Sequence, residues 1–194
     1  MPARATGAGS VPPVSSPPTV TLRARTEADL DVLFRLAADL ATWEERNESA
    51  PAPLTRAAFD ARLARTDVEE EPGNVRFVVD VDGAAVGAAS LLQPDPLARH
   101  AEVGIALLPE ARGQGIGTLA ISELVEFAFV RRNLRRLHLQ AIASNVGALR
   151  VYEKAGFVIE GRRREHAWVR GAYEDIVLMG LLRSEWSARR AEAR

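Results

Sequence analysis

Cysteine is absent from the 194-residue chain, which excludes disulfides, thiolate metal sites and covalent catalysis through a thiol. Histidine is scarce. His100, His138 and His166 lie far apart without metal-type spacing, so no metal is expected and all three read as ordinary strand or surface residues, His166 alone being kept as a minor candidate near a site. Lys154 is the only lysine, and arginine carries the rest of the positive charge. With a net charge of −1, no field of one sign points to nucleic acid. No apolar run is long enough for a signal peptide or a membrane helix, so a cytoplasmic location without a membrane partner is expected.

What is present suits one folded domain: 47% of the residues are hydrophobic, enough for a sizeable core. Residues 1–19 are rich in Pro, Ser, Gly and Ala and are expected to be disordered. Val20 to Arg25 alternates as a strand. Thr26 and Asp29 make a capping-box start for a helix that carries Leu30, Leu33, Phe34, Ala37 and Leu40 on one side. Asn47 to Pro53 breaks it, and a second helix runs from Thr55 to about Thr66. Val75 to Val81, a turn at Asp82-Gly83 and a strand ending near Leu92 form a hairpin, with Pro94 and Pro96 marking a loop. Strand His100 to Leu108, a helix from Gly115 to Arg132 and strand Arg135 to Ile142 make a parallel crossover. After a short helix from Asn145 come strands Phe157 to Val169 and Tyr173 to Leu182, joined at Arg170-Gly171. The sum is an α/β (mixed α+β) domain over residues 20–183, with about seven strands in a mixed sheet and helices on both faces. Residues 184–194 are expected to be a frayed helical tail.

Two segments carry chemistry. In His100 to Thr118, HAEVGIALLPEARGQGIGT, an alternating strand passes a proline stop into an arginine and glycine loop that opens a helix. Helix starts offer unpaired N–H groups and a positive dipole end, so this is an anion cradle. Gly113, Gly115 and Gly117 let a ligand approach the backbone, and Arg112 adds charge. A dinucleotide fingerprint needs glycine at Thr118 and a P-loop needs Gly-Lys-Ser/Thr, so neither pattern is met. Taken alone, the loop equally fits a flexible turn. The second segment, Asn145 to Phe157, NVGALRVYEKAGF, reads as a capped helix stopped by Gly156, with Asn145 and Tyr152 two turns apart on one face.

Together, Arg112-x-x-Gly115-x-Gly117 and the downstream Asn145/Tyr152 pair resemble the acetyl-CoA signature of the GNAT superfamily of N-acetyltransferases. The segment Glu160 to Trp186 resembles its RimJ/RimL-type branch of ribosomal-protein N-terminal and spermidine acetyltransferases. The resemblance implies a GNAT fold, acetyl-CoA as acyl-donor co-substrate, and direct transfer of the acetyl group to a primary amine. It also implies residue roles. The pantetheine pairs with backbone near Ile105, Ala106 and Leu107, and Gly113, Gln114, Gly115, Ile116, Gly117 and Thr118 hold the pyrophosphate. Asn145 orients the cofactor and Tyr152 protonates the leaving thiolate.

The acceptor amine needs a base, since a free alkylamine is mostly protonated at neutral pH. Glu102, on the face of its strand opposite Val103, is the first candidate and Glu165 the second. Acidic residues Glu44, Glu45, Glu48 and Asp67 to Glu71 would draw in a cationic amine; solvated helix ends explain them equally well. A non-catalytic acyl-CoA-binding or interaction protein, or a transferase for another acyl-CoA, are the rival readings. Relatives in this branch often pair, and the last strand with its tail would supply a homodimer edge.

Overall fold

The computed structural model describes residues 18–47, 51–69 and 73–192. Along the chain run β1 (Val20–Arg23), α1 (Leu30–Ala38), α2 (Leu40–Glu44), α3 (Arg56–Glu69), β2 (Val75–Val81), β3 (Ala84–Asp95), β4 (His100–Leu107), α4 (Ile116–Glu126), β5 (Arg136–Ile142), α5 (Val146–Ala155), β6 (Val158–Val169), β7 (Ala172–Leu182) and α6 (Arg183–Glu192). The strands form a 7-stranded sheet in the order β1-β2-β3-β4-β5-β7-β6. It is mixed, because β4 and β5 are parallel and all other neighbours antiparallel. Among the described residues, no helix is long and apolar enough to cross a membrane.

Strand alternation divides the side chains between two faces. Ala89, Leu91, Ala101, Val103, Leu137 and Leu139 share one buried cluster with Ala120, Ile121 and Leu124 of α4. Large side chains buried this completely contribute roughly 1.5–3 kcal/mol each. On the opposite face Ala106 and Leu108 pack with Leu36 of α1. Helices therefore cover both faces, as the pattern predicts.

The helical region after β1 differs in detail. Its most buried apolar residue is Leu36, whereas Leu40 is 43% exposed. The chain leaves the helix at Asp39, whose backbone is extended, and its carboxylate accepts the Thr42 N–H to start α2. The new cap turns Leu40 off the predicted stripe. Helix α3 runs to Glu69 rather than Thr66. Glu48 and Glu70 to Glu71 lie outside the described residues.

Four further expectations need correction. Pro94 lies within β3, not in a loop; Gln93 at φ 49 and a register shift between Leu92 and Asp95 form a bulge that spares the proline a ladder bond. The last strand is not an edge, since β7 sits between β5 and β6 and leaves β1 and β6 outermost. The C-terminal stretch is not frayed: Arg183–Glu192 forms α6, with the Trp186 ring 5.4 Å from that of Phe129 and Arg190 2.8 Å from Glu126. Helix α4 is shorter than predicted, because a π-turn takes over at Phe127–Arg131. The wider turn lets Ala128 and Phe129 both be buried while Phe127 meets Phe77 edge-on at 5.0 Å.

One polar node fixes β1 to the start of α1. Arg23 donates to Asp29 at 2.7 and 2.8 Å and to Asp80 at 2.7 Å, and both carboxylates are buried. Asp29 also accepts the Thr26 N–H and hydroxyl, which completes the predicted cap. Hydrogen bonding to Arg23, against the cost of burial and with help from Thr26, holds the Asp29 carboxyl well below the usual range. Asp29→Ala is expected to cost about 1–2 kcal/mol at neutral pH, modest because Arg23 remains partly solvated. A depressed carboxyl stabilises the fold above its unfolded value of about 4 and loses that contribution as pH falls. Urea midpoints of wild type and variant should therefore differ at pH 7 and draw together in acid.

Candidate functional site

The site begins where two parallel strands part. β4 and β5 pair through His100–Arg136, Ala101–Leu137 and Glu102–His138. Beyond that point β4 continues to Leu107 paired with β3 alone, and β5 continues to Ile142 paired with β7 alone. One backbone edge of Val103 to Leu107 is thus left without a strand partner among the described residues, along a stretch that is buried or half-buried. Ile105, Ala106 and Leu107 all lie on this open edge.

The loop after β4 carries Gly113 at φ 74 and Gly115 at φ 83, both left-handed. A methyl group at either would touch nothing within 4 Å, so the glycines answer a backbone demand and leave the space above them clear. The N–H groups of Gly113, Gln114, Gly115, Ile116 and Gly117 bond to none of the described residues, and α4 starts at Gly115 without a side-chain cap. Five unmatched donors at a helix start form a ready anion site. Thr118 closes the first turn, its N–H on Gly115 O at 3.1 Å. Gly117 does something else. It is buried, and a Cβ there would stand 3.2 Å from Val151 Cγ2, so its bareness allows α5 to lie close against α4.

Arg112 does not reach toward the open donors. Its Nε donates to Leu107 O at 3.1 Å, Nη1 pairs with Glu45 at 3.0 Å and Nη2 donates to Thr42 Oγ1 at 2.7 Å. Asn145 is similarly committed: its oxygen accepts the Ala148 N–H at 3.1 Å, capping α5, and its amide donates to Glu45 O at 3.1 Å. Arg170, in the turn between β6 and β7, reaches Glu45 at 3.0 Å and Glu44 at 3.6 Å. The end of α2 is therefore clamped from three sides. Glu44 and Glu45, read from the sequence either as attractors for a cation or as solvated helix ends, are engaged by arginines. A cleft of about 440 Å³ remains between these parts, lined by Glu45, Arg112, Ser144, Asn145, Val146, Gly147, Val169, Arg170 and Glu174.

Tyr152 is 5% exposed, its ring 5.7 Å from that of Phe157 in an edge contact. Burial pushes its phenol up to about 12; the charge of Arg46 opposes this and that of Glu102 adds to it. The group stays protonated through neutral pH and its hydroxyl bonds to none of the described residues. Glu102 stands at the last paired position of β4, opposite His138. Glu165 is exposed at a bulge of outer strand β6, at φ 50, with its N–H on Asp175 at 3.0 Å. The charge of Glu102 acts on Tyr152, whereas Glu165 lies two strands from β5. His166 is exposed on the same outer strand.

Sequence reasoning missed Thr42, Arg46 and Val151. Their roles are tertiary, made by the fold of α2 and α5 over the loop, and no local pattern marks them. The Asn145 clamp has a measurable consequence. Asn145→Ala removes the cap and is expected to lower stability by about 1 kcal/mol. Asn145→Asp keeps the capping oxygen and should recover most of it, as thermal melts of the two variants would reveal.

The acetyltransferase (GNAT) domain family model matches residues 19–158. A spermidine N(1)-acetyltransferase of Vibrio cholerae is 32% identical over 112 residues, 57% of this chain and 65% of that protein. The putative ribosomal N-acetyltransferase YdaF of Bacillus subtilis is 36% identical over 105 residues, 54% and 57% of the two chains. The chain thus spans about three fifths of the length of these curated relatives. Among solved structures, the spermidine N-acetyltransferase from Vibrio cholerae in complex with CoA and spermine superposes with a TM-score of 0.78 at 25% identity, covering 87% of this chain and 98% of that one.

Proposed function

Because this chain belongs to the acetyltransferase (GNAT) domain family, we propose that it moves an acetyl group from acetyl-CoA directly to a primary amine. The observation that carries the reading is the opening between β4 and β5, flanked by five N–H donors that bond to none of the described residues on one side and a buried, protonated phenol on the other. The parts fit coenzyme A in kind. Backbone donors from Gly113 to Gly117 suit a diphosphate, and the open edge near Ile105 to Leu107 suits the two amides of pantetheine, in the manner of an added strand. The carbonyl of Leu107 is partly taken by Arg112, so this arginine serves to shape the loop and Asn145 to seat α5.

Acetyl-CoA supplies an activated acyl group on sulfur. Tyr152 provides the proton that the departing thiolate needs, a task for which a phenol held neutral is suited. Glu102, rather than Glu165, takes the proton from the amine: it stands at the fork and lies near enough to Tyr152 to influence its ionisation, while Glu165 faces solvent on the outer strand. No cysteine exists to form an acyl-enzyme, which agrees with direct transfer. The names of the relatives point to a polyamine and to ribosomal protein as acceptors. These share only a primary amine, and that is the acceptor class proposed. A cytoplasmic setting would supply the thioester.

Thiol release is readable without background from a protein lacking cysteine. Wild type with acetyl-CoA should release thiol on addition of a member of a panel of polyamines, aminoglycosides, amino acids and N-terminal peptides. Tyr152→Phe and Glu102→Gln should each lower kcat by about 10²-fold or more, with the heat of acetyl-CoA binding preserved. Binding without release from any amine would replace the transferase with a non-catalytic acyl-CoA module; release with longer acyl groups alone would change the donor.

A further inference from the structure

At neutral pH the proposed reaction has a proton left over. An alkylammonium brings three N–H protons; the amide product keeps one, the CoA thiol gains one, and one must leave the site at every turnover. Tyr152 gives sulfur its proton and is reloaded by one of the two protons shed from nitrogen; Glu102 collects the other and must be emptied before the next cycle. Its neighbours on the sheet offer a route.

Glu102 and His138 are directly opposite in the β4–β5 ladder, so their side chains emerge on the same face at adjacent-strand spacing. The His138 ring lies 5.1 Å from that of His100, one step further from the fork on the same face. His100 in turn pairs with Asp95 across the β3–β4 end, beside the exposed turn that carries Leu97. His100 Nδ1 is buried and bonds to none of the described residues, which is costly for a purely structural histidine. Burial, with the charges of Arg136 and His100, pushes the His138 imidazole down, opposed by Glu160. The lowered basicity leaves the ring mostly neutral at pH 7 and quick to pass on a proton it receives.

We propose that His138 and His100 relay the surplus proton from Glu102 toward solvent at the Asp95 end of the sheet. The relay rests on the transferase reading above. Each step moves one proton and no electron pair leaves its atom: the Glu102 carboxyl reprotonates His138, His138 passes a proton to His100, and His100 releases it to water. The charged groups facing the pair are Glu102 and Asp95 from their own side, Arg136 on β5, and Glu160 on β6 bound to Arg136. Opposite His138, β7 presents only Gly180.

The test is kcat against pH and buffer concentration for wild type, His138→Asn and His100→Gln, with the best amine from the panel. Loss of the relay should lower kcat about tenfold near pH 7 without changing acetyl-CoA binding, and imidazole or another small buffer should restore it in proportion to its concentration. A merely structural role would give no buffer rescue. Variants that fold, bind acetyl-CoA and turn over like wild type overturn the relay while Glu102→Gln remains impaired; so does a loss that no buffer repairs. If wild type releases no thiol with any amine, the transferase reading falls and the relay with it.

Discussion

The site depends on a ladder that stops. Three residue pairs hold β4 and β5 together, and after Glu102–His138 the strands separate. Backbone groups in a sheet interior demand partners, so an edge opened between two central strands is a standing request for something that can hydrogen-bond like a strand. The rest of the architecture holds the fork open. β3 supports β4 and β7 supports β5 on their outer sides, while α4 and α5 pack across the gap on one face. The fork also assigns positions: residues at its vertex come from both strands, those along its arms from one.

Much of this was legible from the chain. The alternation of Val75 to Val81, the Asp82-Gly83 turn and the Gly156 stop each set an element by local chemistry, and those elements are where the pattern put them. The glycine loop opens a helix as its composition implies. What escaped was tertiary. Nothing local tells that α1 ends at Asp39, because a second cap overrides a continuous apolar stripe. Nothing tells that Arg112 turns away from the loop to Glu45 and Thr42, since those partners are about seventy residues distant along the chain. His100 and His138 read as isolated until the register sets them side by side.

The arginines show why charge in a sequence is a poor guide to charge in a site. Glu44 and Glu45 form an acidic cluster on paper, yet Arg112 and Arg170 neutralise it from opposite sides. These pairs are partly exposed and individually weak. Their effect is geometric: they bind the end of α2 to the β6–β7 turn and to the loop before α4, and so define the walls of the cleft.

The contact of Gly117 with Val151 has a consequence for reach. It holds the helix that begins at the glycine loop close against the helix that carries the phenol. The span from cradle to phenol is then a fixed length of rigid protein, not the sum of two adjustable parts. A donor anchored by its nucleotide end would have its reactive end delivered at a distance written into a single missing methyl group.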